Sequence, residues 1–259
     1  MSGAVLGIDI GGTGIKGGAV DLGRGRLVGD RLRVRTPRPA DPGAVGRVVQ
    51  RVATGLIARH QLAPRIGCTF PGAVVNGVVR SAPNLSAAWV GVDAAAVLGA
   101  AVDAPVTVLN DADAAGLAEV AFGAGEGQAG VVVMLTLGTG IGSAIFLHGE
   151  LLPNTEFGHI ELHGHDAERL ASDHTRQRKA LSWKRWAQRL SDYLQHLEGL
   201  LYPDLFILGG GVSAHATDFI PHLKTQAPVV PARLGNAAGI IGAALAAAPP
   251  DRRPSQRLS

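Results

Sequence analysis

Val5-Leu6-Gly7-Ile8-Asp9-Ile10-Gly11-Gly12-Thr13-Gly14-Ile15-Lys16 joins an apolar run, a glycine turn and the start of a second apolar run that reaches Val20. Short apolar segments bounded by glycines read as strand, tight turn, strand. Gly12-Thr13-Gly14-Ile15 returns 126 residues later as Gly138-Thr139-Gly140-Ile141, again between two strand-like runs, 131–137 and 143–147. Four matching residues can coincide by chance. The matching context favours duplication of a strand–turn–strand unit, so the predicted fold is α/β with two similar lobes facing each other across a cleft.

Outward from these turns, 44–60 carries apolar residues at helical spacing, while 66–70, 77–80 and 106–109 read as strands. A helix is expected over 112–122, the longest helix over 180–201, a buried strand over 205–208 ending in Gly209-Gly210-Gly211, and a last helix over 236–248. Residues from Pro249 onward read as a frayed basic tail. The expected lobes are 1–109 with 236–259, the smaller, and 110–235, the larger.

The composition sets bounds. With 46% hydrophobic residues but 4% aromatics, the interior is built from Ala, Val, Leu and Ile. The 36 glycines imply many tight turns, because glycine weakens helix and strand interiors. A net charge of +3 favours an anionic ligand without requiring nucleic acid. Cys68 is the only cysteine, which excludes an internal disulfide and a multi-cysteine zinc site. Residues 4–10 are apolar with no basic region before them, unlike a secretory signal, and 237–248 is too short to span a bilayer, so a cytoplasmic protein is expected.

A glycine hairpin brings backbone N–H groups close to an anion, since no Cβ blocks the approach. Two such turns on facing lobes suit a phosphate chain, with Thr13 and Thr139 adding hydroxyls and Lys16 a charge; the alternative is two ordinary hairpins. Gly12-x-Gly14-x-x-Gly17 matches a dinucleotide fingerprint, yet Gly18-Ala19-Val20 continues as strand where that fingerprint requires a helix. Gly125-x-Gly127-x-x-Gly130 precedes a strand, and Lys16 lacks the following Ser or Thr of a Walker loop.

Asn110-Asp111 stands where a strand gives way to a helix, the place where open α/β sheets gather their ligands. Asp111 there is either a general base or a helix cap. Asp113 falls in the first turn and complements the helix dipole. Glu156-Phe157-Gly158-His159, followed by Glu161, His163, His165, Asp166 and Glu168, is dense in groups that hydrogen-bond sugar hydroxyls. Convergence of His159, His163 and His165 on a metal is the weaker alternative.

Taken together these motifs resemble the repressor–ORF–kinase family of sugar kinases, over nearly the whole chain. Asp9-Ile10-Gly11-Gly12-Thr13 resembles the family's first phosphate motif and Leu137-Gly138-Thr139-Gly140-Ile141-Gly142 its second. Asn110-Asp111-Ala112-Asp113 resembles the catalytic stretch, Glu156-x-Gly158-His159 the sugar motif, and Glu168-Arg169-Leu170-Ala171-Ser172 the later segment with a second sugar-binding glutamate. The resemblance implies the two-lobed actin-like/hexokinase-like (ribonuclease H-like) ATPase fold with a central cleft. It implies Asp111 as the catalytic base, Asn84, Asn110, Glu156, His159 and Glu168 as sugar ligands, and Gly11, Gly12, Thr13, Lys16, Gly138, Thr139, Gly140 and Gly210 around the phosphates.

Many family members carry a cysteine-rich zinc loop before the second glutamate. Here only residues 160–167 intervene, without cysteine, so structural zinc is not expected. That short loop, Leu181-Ser182-Trp183-Lys184-Arg185-Trp186, and Pro203-Asp204-Leu205-Phe206 resemble the branch of the family that uses inorganic polyphosphate. The implied activity is transfer of the terminal phosphoryl of polyphosphate to the 6-hydroxyl of glucose, or mannose, with Mg²⁺ on the donor. The alternatives are the same kinase using ATP, a sugar-sensing regulator without catalysis, and an actin-like filament module. Trp183 and Trp186 read as helix packing in preference to ligand stacking. The expected partners are glucose, polyphosphate or ATP, and a second copy of the chain in a homodimer, with neither nucleic acid nor membrane.

Overall fold

The computed structural model describes residues 4–249, so the tail expected beyond Pro249 falls outside the described residues. Within them the chain divides into two compact units, residues 4–118 with 237–249 and residues 119–236.

The first unit begins with β1 (Val5–Ile10), β2 (Gly14–Asp21) and β3 (Arg26–Arg35), an antiparallel meander. α1 (Pro42–His60) follows, then β4 (Ile66–Phe70), a small hairpin of β5 (Val74–Val75) and β6 (Val78–Val79), α2 (Ala94–Val102), β7 (Val106–Asn110) and α3 (Asp111–Phe122), whose last turn, from Glu119, belongs to the second unit. The sheet order is β3-β2-β1-β4-β7, with β1, β4 and β7 parallel. Asp41 caps α1 through the N–H of Ala44, and Val45, Val49, Val52 and Leu56 turn the helix's apolar stripe into the core. Trp89 is fully buried against Phe70, with its indole N–H donated to the Ala40 carbonyl at 3.0 Å.

In the second unit β8 (Val131–Leu137), β9 (Ile141–Leu147) and β10 (Glu150–Leu152) form another antiparallel meander. The chain continues through the hairpin of β11 (Glu161–Leu162) and β12 (His165–Asp166), α4 (Glu168–Ala171), α5 (Asp173–Arg178) and α6 (Trp183–Leu201). β13 (Leu205–Gly209), α7 (Ala216–Phe219) and β14 (Val229–Pro231) complete it, and α8 (Ala238–Ala247) returns to the first unit. The sheet order β10-β9-β8-β13-β14 repeats the first: a three-strand meander, then two strands parallel to its first strand. The two glycine turns occupy the same place in both sheets, between the first and second strands, which is the duplication the repeated tetrapeptide indicates.

α8 is made of Ala, Gly, Ile and Leu because it lies backbone-close on the first sheet. A Cβ on Gly7 would strike the Ile240 carbonyl and one on Gly67 the Ala243 carbonyl, so these two strand glycines are set by close helix approach. The expected helix over 180–201 is one continuous helix that starts later, at Trp183. Ala180 adopts a left-handed φ of 47°, the N–H of Leu181 bonds the Arg176 carbonyl at 2.9 Å, and Ser182 caps a new helix. Among the described residues no helix is long and apolar enough to cross a membrane.

Candidate active site

Asn110 ends the parallel strand β7 and Asp111 begins α3. The Asn110 Oδ1 accepts the N–H groups of Ala112 at 2.7 Å and Asp113 at 3.2 Å, while Nδ2 donates to the Gly72 carbonyl at 3.1 Å. Asn110 is therefore the principal cap of α3, buried and held from both ends of its amide. Asp111 stays exposed; its Oδ1 also takes the Ala112 N–H, at 2.9 Å. Asp113 is buried on the same helix.

The first turn is braced from within and from the segment after β3. The N–H of Gly11 reaches the Gly14 carbonyl at 3.1 Å, the Thr36 hydroxyl donates to the Gly11 carbonyl, and Arg38 donates to the Gly12 carbonyl at 3.3 Å. Thr13 is exposed at the tip. Asn84 packs onto the turn: a Cβ on Gly12 would lie 2.9 Å from its carbonyl oxygen. Lys16 pairs with Asp9, Nζ to Oδ2 at 3.1 Å, and the other Asp9 oxygen accepts the Thr69 hydroxyl at 2.9 Å. Both Asp9 oxygens are thus engaged, one by Lys16 and one by Thr69.

In the second unit the N–H of Gly138 bonds the Gly140 carbonyl at 3.0 Å and Thr139 is exposed, as Thr13 is. The α4–α5 segment fastens this turn at two points. Glu168 Oε2 accepts the N–H of Ile141 at 3.3 Å, and the N–H of His174 donates to the Gly138 carbonyl at 3.0 Å. Gly210 has φ 82° and lies flat on the Leu137 backbone, where a Cβ would collide, so glycine is required there.

Glu156, His159 and Glu168 come together as one polar group. Desolvation pushes the Glu156 carboxyl above the ordinary glutamate range; Glu168 nearby adds to the rise and His159 opposes it. His159 Nδ1 lies 3.5 Å from Asp166 Oδ2. His159, Asp166 and Glu168 bring one ligand atom each within 4.8 Å, a spacing open to a divalent ion, whereas His163 and His165 lie exposed on the β11–β12 hairpin. The Tyr193 hydroxyl is buried without a hydrogen-bond partner among the described residues, and burial, then Glu168, raises its pKa. Cys68, buried in β4, is pushed up to about 12 and offers no reactive thiol.

Trp186 is fully buried, with its indole N–H on the Ala171 carbonyl at 3.0 Å, and half-buried Trp183 packs against Trp186 and Phe219. Both tryptophans are packing residues. Sequence reasoning missed Thr36, Arg38 and Thr69, whose roles depend on pairings 25, 26 and 60 residues apart. It also missed β3, whose alternation of basic and apolar residues is the one signal that could have marked an exposed edge strand.

The comparisons with known proteins bear on this arrangement. Residues 5–175 match the model of the ROK family. The chain is 48% identical over 242 residues to the polyphosphate glucokinase of Mycobacterium tuberculosis (strain CDC 1551 / Oshkosh), covering 93% of this chain and 90% of that protein. It superposes on the crystal structure of the inorganic polyphosphate/ATP-glucomannokinase of Arthrobacter sp. strain KM with TM-score 0.88 and 51% identity, over 93% and 97% of the two chains. A ROK family glucokinase from Streptomyces griseus in complex with glucose and AMPPNP gives TM-score 0.78 at 27% identity, over 93% of this chain and 98% of that one.

Proposed function

This chain belongs to the ROK family, and from that premise we propose that it is a kinase moving the terminal phosphoryl of inorganic polyphosphate to the 6-hydroxyl of glucose. The observation that carries the reading is likeness over nearly the whole chain to kinases of that donor, at 48% and 51% identity. Mannose is a second acceptor, by the name of the Arthrobacter relative.

The chemistry follows from the residues. Asp111 takes the proton of the 6-hydroxyl as that oxygen forms its bond to the terminal phosphorus and the bond to the bridging oxygen breaks; the shortened donor leaves. An exposed carboxylate at the carboxyl end of a parallel strand, beside a neighbour that does the capping, suits this work. Glu156, His159 and Glu168, with Asn84, hold the sugar hydroxyls, so the attack becomes effectively intramolecular. Asn110, by its two-ended bonding, sets the direction of Asp111 as well as any sugar contact it makes. Each unit offers the donor backbone N–H groups and hydroxyls, from Gly11, Gly12 and Thr13 in the first and from Gly138, Thr139, Gly140 and Gly210 in the second. Lys16 adds charge in the first, tempered by Asp9. Mg²⁺ arrives as part of the donor. The enzyme works as a cytoplasmic homodimer.

The test is a coupled assay of glucose 6-phosphate with each donor in turn. Polyphosphate is expected to give the higher kcat/KM, and chelation of Mg²⁺ to stop turnover. Good turnover with ATP and none with polyphosphate would move the chain to the second reading, an ATP-dependent glucokinase, which the names of the Arthrobacter and Streptomyces proteins favour.

Glu168→Ala is expected to weaken glucose binding by about 10–100-fold, the size of a lost hydrogen bond to a charged group. Calorimetry against the melting temperature checks this: an unchanged Kd would remove Glu168 from the sugar site.

A further inference from the structure

Six basic residues lie between 176 and 189: Arg176, Arg178, Lys179, Lys184, Arg185 and Arg189. Arg178, Lys179, Lys184 and Arg185 are exposed, with no side-chain partner among the described residues. They are solvated charges. Arg176 differs. Its Nε donates to Asp173 Oδ1 at 2.8 Å, and its guanidinium carbon sits 3.8 Å from the centre of the Trp183 ring. No other partner among the described residues takes its terminal nitrogens.

The support behind Arg176 is itself braced. Trp183 stacks on His215 with ring centres 5.1 Å apart at 28°, and on Phe219 at 5.9 Å and 24°. His215 belongs to the turn that follows Gly210, and Gly210 rests on Leu137 just before the second glycine turn. On the other side, His174, two residues before Arg176, donates its N–H to Gly138 of that same turn. The guanidinium is thereby held by supports that are themselves tied to the segments carrying Gly138–Gly140 and Gly210, with its terminal N–H donors unspent.

We propose that Arg176 binds the phosphate chain of the donor beyond the reacting phosphoryl, with Asp173, Trp183 and His215 as the supports that hold its fork in position. This rests on the reading of the chain as a kinase with a phosphate-chain donor. A guanidinium presents paired N–H groups that match phosphate oxygens, and one held in advance loses less freedom on binding than a mobile lysine. Polyphosphate and ATP share the chemistry Arg176 reads, and the assay's donors distinguish them.

The experiment measures KM for tripolyphosphate, long-chain polyphosphate and ATP in Arg176→Gln and Arg176→Lys, with glucose saturating. Arg176→Gln is expected to raise donor KM by about 10–100-fold, the range for charge-assisted hydrogen bonds, while glucose KM stays within about twofold. The slope of log KM against log salt should fall by about 0.7–0.9, the loss of one neutralised phosphate. Arg176→Lys keeps the charge but not the fork and should fall between. Donor KM within twofold of the parent for every donor would overturn the proposal and leave Arg176 as packing for Trp183. Independently of turnover and of variant folding, tripolyphosphate should protect Arg176 of the unaltered protein from phenylglyoxal, read by peptide mass spectrometry. Unprotected Arg176 at saturating tripolyphosphate also overturns it. A parent enzyme that turns over with ATP alone contradicts the polyphosphate reading, and Arg176 is then judged on its ATP KM and on protection.

Discussion

Asp111→Asn is expected to lower kcat with glucose by about 10²–10⁴-fold, the usual cost of losing a general base, with the glucose Kd within about threefold of the parent. The local geometry makes this a clean substitution. Asn110, and not Asp111, supplies the principal cap of α3, through bonds of 2.7 and 3.2 Å to the N–H groups of Ala112 and Asp113. An amide at 111 keeps the size of the side chain and an oxygen for the Ala112 N–H. The melting temperature should therefore hold while the chemical step fails. Asn110→Ala should behave differently, losing the cap, about 1 kcal/mol, together with the Gly72 tether. A near-normal kcat in Asp111→Asn, measured under saturating donor and sugar, would remove Asp111 as the base.

The contrast between Asn110 and Asp111 shows what the sequence can carry. Strand end, helix start and the pair of polar residues between them were legible, because apolar periodicity changes from strand to helix at that point. Which of the two side chains caps the helix was not legible, since both residue types cap well; it is decided by the Gly72 carbonyl, 38 residues away, which holds the Asn110 amide. The glycine turns were legible for a similar local reason: their repeat sits in the same strand–turn–strand setting twice. β3 was not, because a strand with Arg26, Arg31, Arg33 and Arg35 along it has the composition of a loop and becomes a strand only by pairing with β2. The start of α6 after Ala180 was hidden as well. Alanine is the best helix former, and here it holds a left-handed conformation because Leu181 closes on Arg176 and Ser182 starts a new helix.

Glu119→Ala is expected to produce the largest loss of stability. The helix over 112–122 was legible, but nothing local marks its one buried glutamate as different from a surface one. The Glu119 side chain is wholly buried, and it accepts three backbone N–H groups: Ala124 at 2.8 Å, Arg233 at 3.0 Å and Leu234 at 2.7 Å. Gly123 makes room for it, since a Cβ there would strike the carboxylate. Burying a carboxylate is unfavourable unless hydrogen bonds replace its water, and three charge-assisted bonds do so here. Alanine would leave all three N–H groups without an acceptor, each at about 1–3 kcal/mol, and a cavity behind them. Even with relaxation, a loss on the order of 4 kcal/mol is expected, which for a chain of this size lowers Tm by roughly 10 °C. The position gives the loss a second consequence. The chain passes between its two units at 118/119 and again at 236/237, and Glu119 ties the first passage to the segment just before the second. Hydrogen exchange in Glu119→Ala should therefore quicken first at the amides of 124, 233 and 234, ahead of the β8 and β13 amides. A melting temperature within about 2 °C of the parent, with unchanged exchange at those three amides, would show that water takes the place of the carboxylate and that Glu119 holds nothing together.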